Sequence, residues 1–561
     1  MSRRLPREAY AGRYGPTTGD RIRLGDTDLW VRVTDDHAAH GDEAVWGYAK
    51  TLRLGMTQAT RPTDSELDVV VCGVVLIDPV LGVVKTDIGI KDGRVVGCGR
   101  AGNPATTDGV DLVIGPGTLP IMGYGLIATP GGVDSHVHLI TPRLLPVALS
   151  AGITTLLTAG FEEPAWAMQR MYQSTDTWPL NLGLQACARS TDEGALTRLI
   201  QAGAVGMKIH EDYGAYPDLI DATLRVADAE DIAVCLHTDG LNESAELADT
   251  VAAIDGRTVH AYHVEGAGGG HVPDLIGLVG HRNIICSSTT PTLPYTRSAL
   301  DEHLAMILAV HGGQPHLEAD VAAAVERIRP STMAAEGPLH DLGAIQIINS
   351  DSQGMGRIGE TIRRTWQLAH AMKAWRSTAA GAGWNAEDAA DDDNARVLRY
   401  LAKYTIEPAR THGIDTHVGS LQPGRLADIV LWRPGYFGAR PNLVLKSGYW
   451  AWGAIGEGNA SVELSQPVRY GPHLGAGAAG DLSVTFVSPR AAGTDALDGL
   501  GLRRRRVAVR STRGLDRSAL HRNTATLPVE VDEDGTVTSA GRRVAAEPIT
   551  AVPLSRRYRL G

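Results

Sequence analysis

Eight apolar segments that alternate with helical segments constrain the fold of this chain more than any other feature. Each is short enough for a buried strand, and helical patterns lie between them, such as Glu243–Ile254 and Glu360–Trp375. This alternation is typical of βα units around a parallel sheet, and eight units predict an α/β fold with a (β/α)8 barrel. The predicted strands are Gly125–Thr129 running on to His138, Gly152–Thr158, Asn181–Ala188, Val205–His210, Ile232–His237, Thr258–His263, Asn283–Ser288 and Ala344–Asp351.

The segments on both sides of the predicted barrel have β-strand patterns. A hairpin is predicted to turn at Asp92 and Gly93. Strands that could form one β-domain from both flanks are predicted over Leu67–Asp78, Gly424–Trp432 and Asn442–Lys446. We therefore expect an N-terminal β-domain over residues 1–124, a metal-dependent hydrolase barrel over 125–415, and a segment over 416–561 that completes the β-domain and contacts other subunits.

Composition and charge argue against several classes of partner and location. The chain has 561 residues, a net charge of −11 and a pI near 5.9, which disfavours binding to nucleic acid or anionic membranes. No apolar run approaches the ~20 residues of a membrane helix, and no apolar segment follows the basic N-terminus as in a secretory signal. Five scattered cysteines favour a reducing compartment. We expect a cytoplasmic protein that binds neither nucleic acid nor membrane.

Residues with metal-ligand chemistry stand at the ends of several predicted strands. Because the functional groups of a (β/α)8 barrel lie at the C-terminal ends of its strands, they should meet on one rim. The i, i+2 spacing also places pairs of them on the same strand face. A single histidine at a strand end is more often a satisfied polar residue, but so many at the correct ends indicate a metal site. They are His136, His138, Lys208, His210, His237, His263 and Asp351.

The chemistry of these donors favours a catalytic site with two metal ions. Imidazole and carboxylate ligands, without a group of cysteines, are typical of sites with open coordination positions. Two ions need a bridging anion, which Lys208 supplies if CO2 converts its amine to a carbamate. The carbamate would also remove the cost of burying an ammonium group. The alternative is a lysine that turns outward and pairs with Glu211 or Asp212.

At these residues the chain resembles the urease alpha subunits, within the amidohydrolase superfamily of metal-dependent hydrolases. The resemblance covers nearly the whole chain, whereas a general amidohydrolase would share the H-x-H pair and little else. Its motifs are Tyr14-Gly-Pro-Thr-Thr-Gly-Asp20, Arg23-Leu-Gly-Asp-Thr-Asp28, Gly131-Gly-Val-Asp-Ser-His-Val-His138, Gly206-Met-Lys-Ile-His-Glu-Asp212, His263-Val-Glu-Gly-Ala-Gly-Gly-Gly-His271, Arg327-Ile-Arg-Pro330 and Ser350-Asp-Ser-Gln-Gly-Met-Gly-Arg357.

The resemblance implies two nickel ions per subunit, bridged by carbamylated Lys208. It implies that one ion is held by His237 and His263, and the other by His136, His138 and Asp351. The substrate would be urea, and the products ammonia and carbamate, which decomposes to a second ammonia and CO2. Beta and gamma subunits, separate or fused, would join this chain in a trimer of heteromers, and maturation proteins would load the nickel.

The resemblance also assigns roles to four residues around the ions. His210 would bind the carbonyl oxygen of urea, and His311, on a mobile flap, would be the proton donor to the leaving amine. Arg327 and Asp212 would set the charge and orientation of His311.

Three departures from the family pattern bear on the substrate. The flap reads Val310-His311-Gly312 where the family has Cys-His-His. The stretch after the second strand, which follows Ala165, is shortened, and Gly354 replaces the usual alanine. These departures leave open a hydrolase of this fold that acts on another small amide, amidine or ureido compound. A non-catalytic metal-binding relative is a third reading, although it does not explain the retained ligands.

Overall fold

The computed structural model describes residues 5–38, 55–160, 164–210, 214–237, 247–266, 275–384, 391–455, 469–533 and 535–555. Its two main parts are a barrel of parallel strands and a ten-stranded sheet. Within these ranges no helix combines the length and hydropathy that a membrane span requires.

The chain begins with short elements that lead into two long paired strands. Helix α1 covers Arg7–Tyr14, and the strands are β1 Arg21–Arg23, β2 Trp30–Arg32, β3 Asp35–Asp36, β4 Val69–Asp78, β5 Gly82–Lys91, β6 Arg94–Gly99, β7 Ala101–Gly102, β8 Leu112–Val113, β9 Leu119–Met122 and β10 Ile127–Pro130. Strands β5 and β6 form the predicted hairpin, with positive φ at both Asp92 (52°) and Gly93 (73°). That geometry is typical of the tight turns that match strand twist.

The predicted barrel is present, and each of its eight strand positions is occupied. The strands are β11 Gly132–Val137, β12 Ile153–Thr158, β13 Asn181–Gly183 continued by β14 Gln185–Cys187, β15 Gly206–Ile209, β16 Ala233–His237, β17 Val259–Tyr262, β18 Ile284–Thr289 and β19 Ile347–Asn349. All neighbours pair in parallel, and a bridge between Val137 and Ser352 joins the last strand to the first. The fold class predicted from the alternation of segments is therefore confirmed.

Helices and short connections cover the outside of the barrel and its C-terminal rim. They are α2 Leu144–Ala151, α3 Ala165–Thr175, α4 Glu193–Gln201, α5 Pro217–Glu230, α6 Leu247–Ile254, α7 Ala299–Val310, α8 Glu318–Glu326, α9 Pro330–Asp341, α10 Thr361–Arg376, α11 Asn394–Ala402 and α12 Ile406–Thr411. Helix α5 shows how the sequence sets the ends of a helix. Pro217 is its first residue, a position where the backbone N–H has no partner within the helix, and Asp231 follows its last residue in the left-handed conformation.

The barrel starts later than the sequence pattern indicates. The first predicted strand divides at Gly131, so β10 pairs with the large sheet and β11 opens the barrel. Gly131 suits this division because its backbone passes Thr154 so closely that a Cβ would lie 2.2 Å from Oγ1. The apolar run alone does not reveal that the chain passes from one sheet to the other at Gly131. The domain limits at 124 and 415 stay a prediction.

The post-barrel strands return to the N-terminal sheet, as predicted. They are β20 Ile429–Trp432, β21 Leu443–Lys446, β22 Tyr449–Ile455 and β23 Arg469–Pro472, and β20 pairs with β10. Every residue of β4 is buried, because both faces of this sheet are covered.

The remaining segment does not join the β-domain: two of its strands extend a barrel sheet, and the last three form a small antiparallel sheet of their own. It comprises α13 Ala479–Leu482, β24 Val484–Val487, α14 Pro489–Ala492, β25 Arg505–Ala508, β26 Val529–Val531, β27 Val537–Ser539 and β28 Arg542–Arg543. Strand β24 pairs in parallel with β13 at the point where the third barrel strand splits. Strands β20–β23 thus belong to the large sheet, whereas β24 and β25 join a barrel sheet, and the domain limits and subunit contacts expected for residues 416–561 stay predictions.

A buried carboxylate links three of the outer helices. Asp341, at the end of α9, lies 2.6 Å from Nε of Arg376 on α10 and 3.1 Å from Nε of Arg396 on α11, and it accepts a hydrogen bond from Tyr400. Burial alone would raise the pKa of Asp341, but Arg396 and Arg399 outweigh it and hold the pKa at about 2. The carboxylate therefore stays ionised and stabilises the packing of these helices.

Replacing Asp341 by asparagine should lower the free energy of unfolding by about 3–5 kcal/mol, because it leaves buried guanidinium groups without their counter-charge. The pKa of Asp341 is depressed in the folded state, so its contribution is present above about pH 4 and is lost as the pH falls toward 2. The difference between wild type and variant should narrow over that range in guanidinium unfolding curves. Asp228→Asn, which breaks a half-exposed pair with Arg513, is the control and should cost under about 1 kcal/mol.

Candidate metal centre

Three predicted ligands converge where the first and last barrel strands meet. His136 lies on β11, His138 follows that strand, and Asp351 follows β19. Nε2 of each histidine is 3.2 Å from Oδ1 of Asp351, and the three ligand atoms lie within 4.8 Å of one another. Two imidazoles and one carboxylate at these separations can bind a single divalent ion.

A pair of predicted ligands lies on two other strands, β16 and β17, which pair with each other. His237 ends β16 and His263 follows β17, and Nδ1 of the first is 3.0 Å from Nε2 of the second. The rings of His136 and His263 are 5.7 Å apart, so the two groups of ligands are adjacent. The ring of His210, which follows β15, is 4.7 Å from that of His237.

Lys208 points into the barrel among these side chains. It is 1% exposed, and its Nζ lies 3.9 Å from the centre of the Tyr262 ring. The alternative of a lysine that turns outward is therefore wrong, while Glu211 and Asp212 lie outside the described residues. Because a buried lysine between two groups of imidazoles can gain CO2 and become an anionic, two-oxygen ligand, its position fits a bridge between two ions.

Burial favours the neutral form of three histidines at the centre, His136, His210 and His263. It lowers the pKa of both His136 and His263 well below the ordinary value, and Lys208 and neighbouring histidines lower these pKa values further. The pKa of His210 is lowered as well, first by burial and then by His237 and Lys208. Neutral imidazoles present the lone pairs that metal ions require. The donor set thus fits metal binding without any change of protonation among these histidines.

The backbone at the centre is strained. Three residues that are not glycine have positive φ: His263 at 30°, Asp351 at 53° and Gln353 at 64°. Such conformations cost about 1–3 kcal/mol each and persist where the surrounding structure fixes them. Oε1 of Gln353 accepts hydrogen bonds from the backbone N–H groups of Ile140 and Thr141, so the loop after β19 is held to the loop that follows His138.

The predicted flap is a pair of helices beside the Asp351 loop. His311 caps the C-terminus of α7, and Arg327 caps that of α8. Nδ1 of His311 donates to the Ile307 carbonyl at 3.0 Å, and Nε2 lies 3.1 Å from Nη1 of Arg327. Because a guanidinium can only donate, Nε2 is the acceptor, and His311 is a neutral imidazole in this arrangement.

Apolar packing joins this flap to the metal loop. Met355, four residues after Asp351, packs with Ile307 and Leu308 of α7 and with Ala324 of α8. These contacts hold the two helices against the loop that carries a candidate ligand. Asp212 lies outside the described part of the chain, so its predicted role stays a prediction. The stretch predicted to be shortened, after Ala165, is described, and it forms helix α3.

Sequence reasoning missed two buried residues that support the centre. Oδ1 of Asp134 accepts hydrogen bonds from the N–H groups of His136 at 3.2 Å and Ser350 at 3.1 Å, and so holds the first and last strands together. The Tyr262 ring contacts Lys208 and stacks on His136. An acidic residue two positions before His136 offers a weak signal, whereas an aromatic in an apolar strand gives none.

Another group of possible ligands lies deeper in the barrel. Sγ of Cys235 is 3.9 Å from Nδ1 of His260, which is 3.1 Å from Nε2 of His412. Among the described residues, the far ring nitrogens of both histidines find no hydrogen-bond acceptor, so an ion here would leave two N–H groups unsatisfied. Burial raises the pKa of Cys235 to about 11, which fits a packed, unreactive thiol, as predicted from its place below His237.

Comparison with known proteins shows the same assignment over the full length. The model of the urease alpha-subunit N-terminal domain matches residues 3–121, and that of the amidohydrolase family matches residues 127–451. Urease subunit alpha 1 of Streptomyces avermitilis is 48% identical over 98% of this chain and 99% of its own length. Urease subunit alpha of Haloquadratum walsbyi is 46% identical over 100% of both chains. The resemblance predicted from the motifs is confirmed, and the chain belongs to the urease alpha-subunit family of the amidohydrolases.

Proposed function

We propose that this chain is the catalytic alpha subunit of a urease, which hydrolyses urea to ammonia and carbamate. One observation supports the proposal: in a chain of this family, the six predicted metal ligands lie at the same rim of the barrel. These residues are His136, His138, Lys208, His237, His263 and Asp351.

We further infer that the centre holds two nickel ions bridged by carbamylated Lys208. His237 and His263 would hold one ion, and His136, His138 and Asp351 the other. When bound, the two ions would polarise the urea carbonyl and supply an activated water molecule. Nickel is assigned from the family, because imidazole and carboxylate also accept zinc.

His210 would orient the substrate. It is neutral, because burial lowers its pKa, and its ring lies beside that of His237. A neutral imidazole that donates N–H to the carbonyl oxygen of urea favours the developing negative charge on that atom. Burial from water makes such a hydrogen bond stronger than it would be at the surface.

His311 would be the proton donor to the leaving amine after a change at the flap. While Arg327 donates to Nε2, that nitrogen carries no proton to give. We therefore infer that the flap must release Nε2 from Arg327, so that it can take up a proton and turn toward the substrate. Asp212 would complete this control as the acidic partner of His311.

The family also supports proposals about assembly and location. We propose that beta and gamma subunits, separate or fused, complete the enzyme as a trimer of heteromers in the cytoplasm. Maturation proteins would deliver nickel and CO2, because Lys208 is buried inside the barrel.

The direct test is ammonia release by the complex expressed with its partner subunits, maturation proteins and nickel. Urea should be hydrolysed far faster than formamide, acetamide, guanidine or N-methylurea at equal concentration. Faster turnover of one of those compounds would identify the chain as a hydrolase of this fold with another substrate. Metal-free protein without any activity would contradict the proposal altogether.

Lys208→Ala should abolish activity and lower the nickel content, because the bridging anion is lost. Lys208→Arg is the matched variant: it keeps a long cationic side chain but cannot form the carbamate, so it should fail in the same way. Added formate or acetate with nickel should restore part of the activity in Lys208→Ala alone. Normal nickel content in either variant, measured by atomic emission, would rule out the carbamate bridge.

His311→Ala should keep both ions and reduce kcat by about 10²–10⁴-fold with a smaller change in KM, because a general acid acts in the transition state. His316→Ala provides the control, since that exposed histidine lies in the connection between the same two helices. It should have nearly wild-type kinetics. An unchanged kcat in His311→Ala would remove this residue from the mechanism.

A further inference from the structure

Tyr262 occupies the middle of the barrel directly below the candidate metal centre. It is the last residue of β17, is 0% exposed, and immediately precedes the candidate ligand His263. A tyrosine buried to this extent normally satisfies its hydroxyl group, so the partners of that group are informative.

The hydroxyl group of Tyr262 is fixed on the opposite side of the barrel. It donates to the Ser135 carbonyl at 2.6 Å and accepts from Nε2 of Gln185 at 3.0 Å. Gln185 is itself held in place, because its backbone N–H donates a hydrogen bond to the hydroxyl group of Thr158 on β12. The side chain thus connects β17 with β11 and β14.

The ring of Tyr262 contacts two candidate ligands. The Lys208 Nζ lies 3.9 Å from the ring centre, and the His136 ring stacks on it at 4.0 Å with an angle of 19°. His136 also directly follows Ser135, whose carbonyl receives the hydroxyl hydrogen bond. One side chain therefore fixes a ligand on β11 and a ligand on β15, and its own backbone carries His263.

We propose that Tyr262 is a positioning residue that sets the separation between the two metal positions. This inference rests on the proposed dinuclear centre, in which His136 and His263 hold different ions and Lys208 joins them. A rigid side chain anchored at both ends and in contact with the bridge limits how far the two ligand groups can move apart. Residues that contact the metal ligands but not the ion orient those ligands, and their loss typically lowers metal affinity by about 10–100-fold.

Tyr262→Phe is the variant that isolates this role, because it removes the anchor but keeps the ring. We expect about 10–100-fold faster loss of nickel to a chelator. X-ray absorption spectra should show a longer or more variable nickel–nickel distance. The variant should still fold, since the ring volume is unchanged.

Tyr172→Phe is the matched control for loss of a buried hydroxyl group. Tyr172, on α3, is 1% exposed and donates to the Gly203 carbonyl at 2.8 Å. Its variant should lose a similar amount of thermal stability, with no change in nickel release. Faster nickel release in this control would mean that general destabilisation is responsible, and would overturn the positioning role.

Gln185→Leu separates the two hydrogen bonds of the hydroxyl group, because it breaks the bond from Gln185 and keeps the hydroxyl donating to the Ser135 carbonyl. It also removes the bond from Nε2 of Gln185 to the Thr158 carbonyl, so thermal stability should fall while nickel release stays near the wild-type rate. Nickel release as fast as in Tyr262→Phe would overturn the proposal. So would a Tyr262→Phe enzyme that holds two ions with wild-type release and spacing, and that result would leave the proposed urease function intact. A wild-type complex that binds no metal would instead refute the dinuclear centre itself.

Discussion

Lys208 lies in the interior of the barrel, where an ammonium group has lost nearly all contact with water. Two other buried lysines show how this chain normally stabilises such a group: Lys446 is 2.7 Å from the carboxylate of Asp428, and Lys403 donates to the side-chain oxygen of Asn523 at 2.6 Å. Lys208 lies over an aromatic ring and near imidazoles, which are groups that bind metal ions. Burying an ammonium group here costs free energy. That cost is removed if the amine becomes a carbamate, because the buried positive charge is then replaced by a negative charge that two metal cations attract.

The other features of the centre follow from the same requirement. The histidines must stay neutral to bind metal, and burial lowers the pKa values of His136 and His263. The ligands must also approach each other closely, and the backbone of His263 and Asp351 adopts unfavourable positive φ angles at the positions where they do so. Hydrogen bonds from the first-strand backbone to Asp134 and from loop N–H groups to Gln353 hold that arrangement. The strain is therefore sustained by the rest of the rim.

Much of this could be predicted because strand ends carry both structural and chemical information. His237 ends its strand as the pattern indicated, and Lys208, for which the sequence left an outward orientation open, is buried inside the barrel. The pairing of β24 with β13 could not be predicted, because it joins residues some 300 positions apart through a short, ordinary apolar segment. The role of Tyr262 could not be predicted either. It depends on the hydrogen bond that its hydroxyl group makes across the barrel, whereas strand periodicity indicates only that the side chain faces inward.

The departures from the family pattern have local structural explanations that leave the ligand set in place. Gly312 follows the end of α7 with φ of 70°, a conformation that glycine adopts without strain, so the change shapes the helix end next to His311. At Gly354 a Cβ would lie 2.5 Å from Oδ1 of Asp351 and 2.9 Å from Cδ2 of His138. The side chains of two candidate ligands thus occupy the space that this Cβ would need. Val310 removes a thiol from the flap but keeps His311 and its contact with Arg327. Because these three substitutions are accommodated among the protein's own groups, none of them supplies a physical reason to prefer a substrate other than urea.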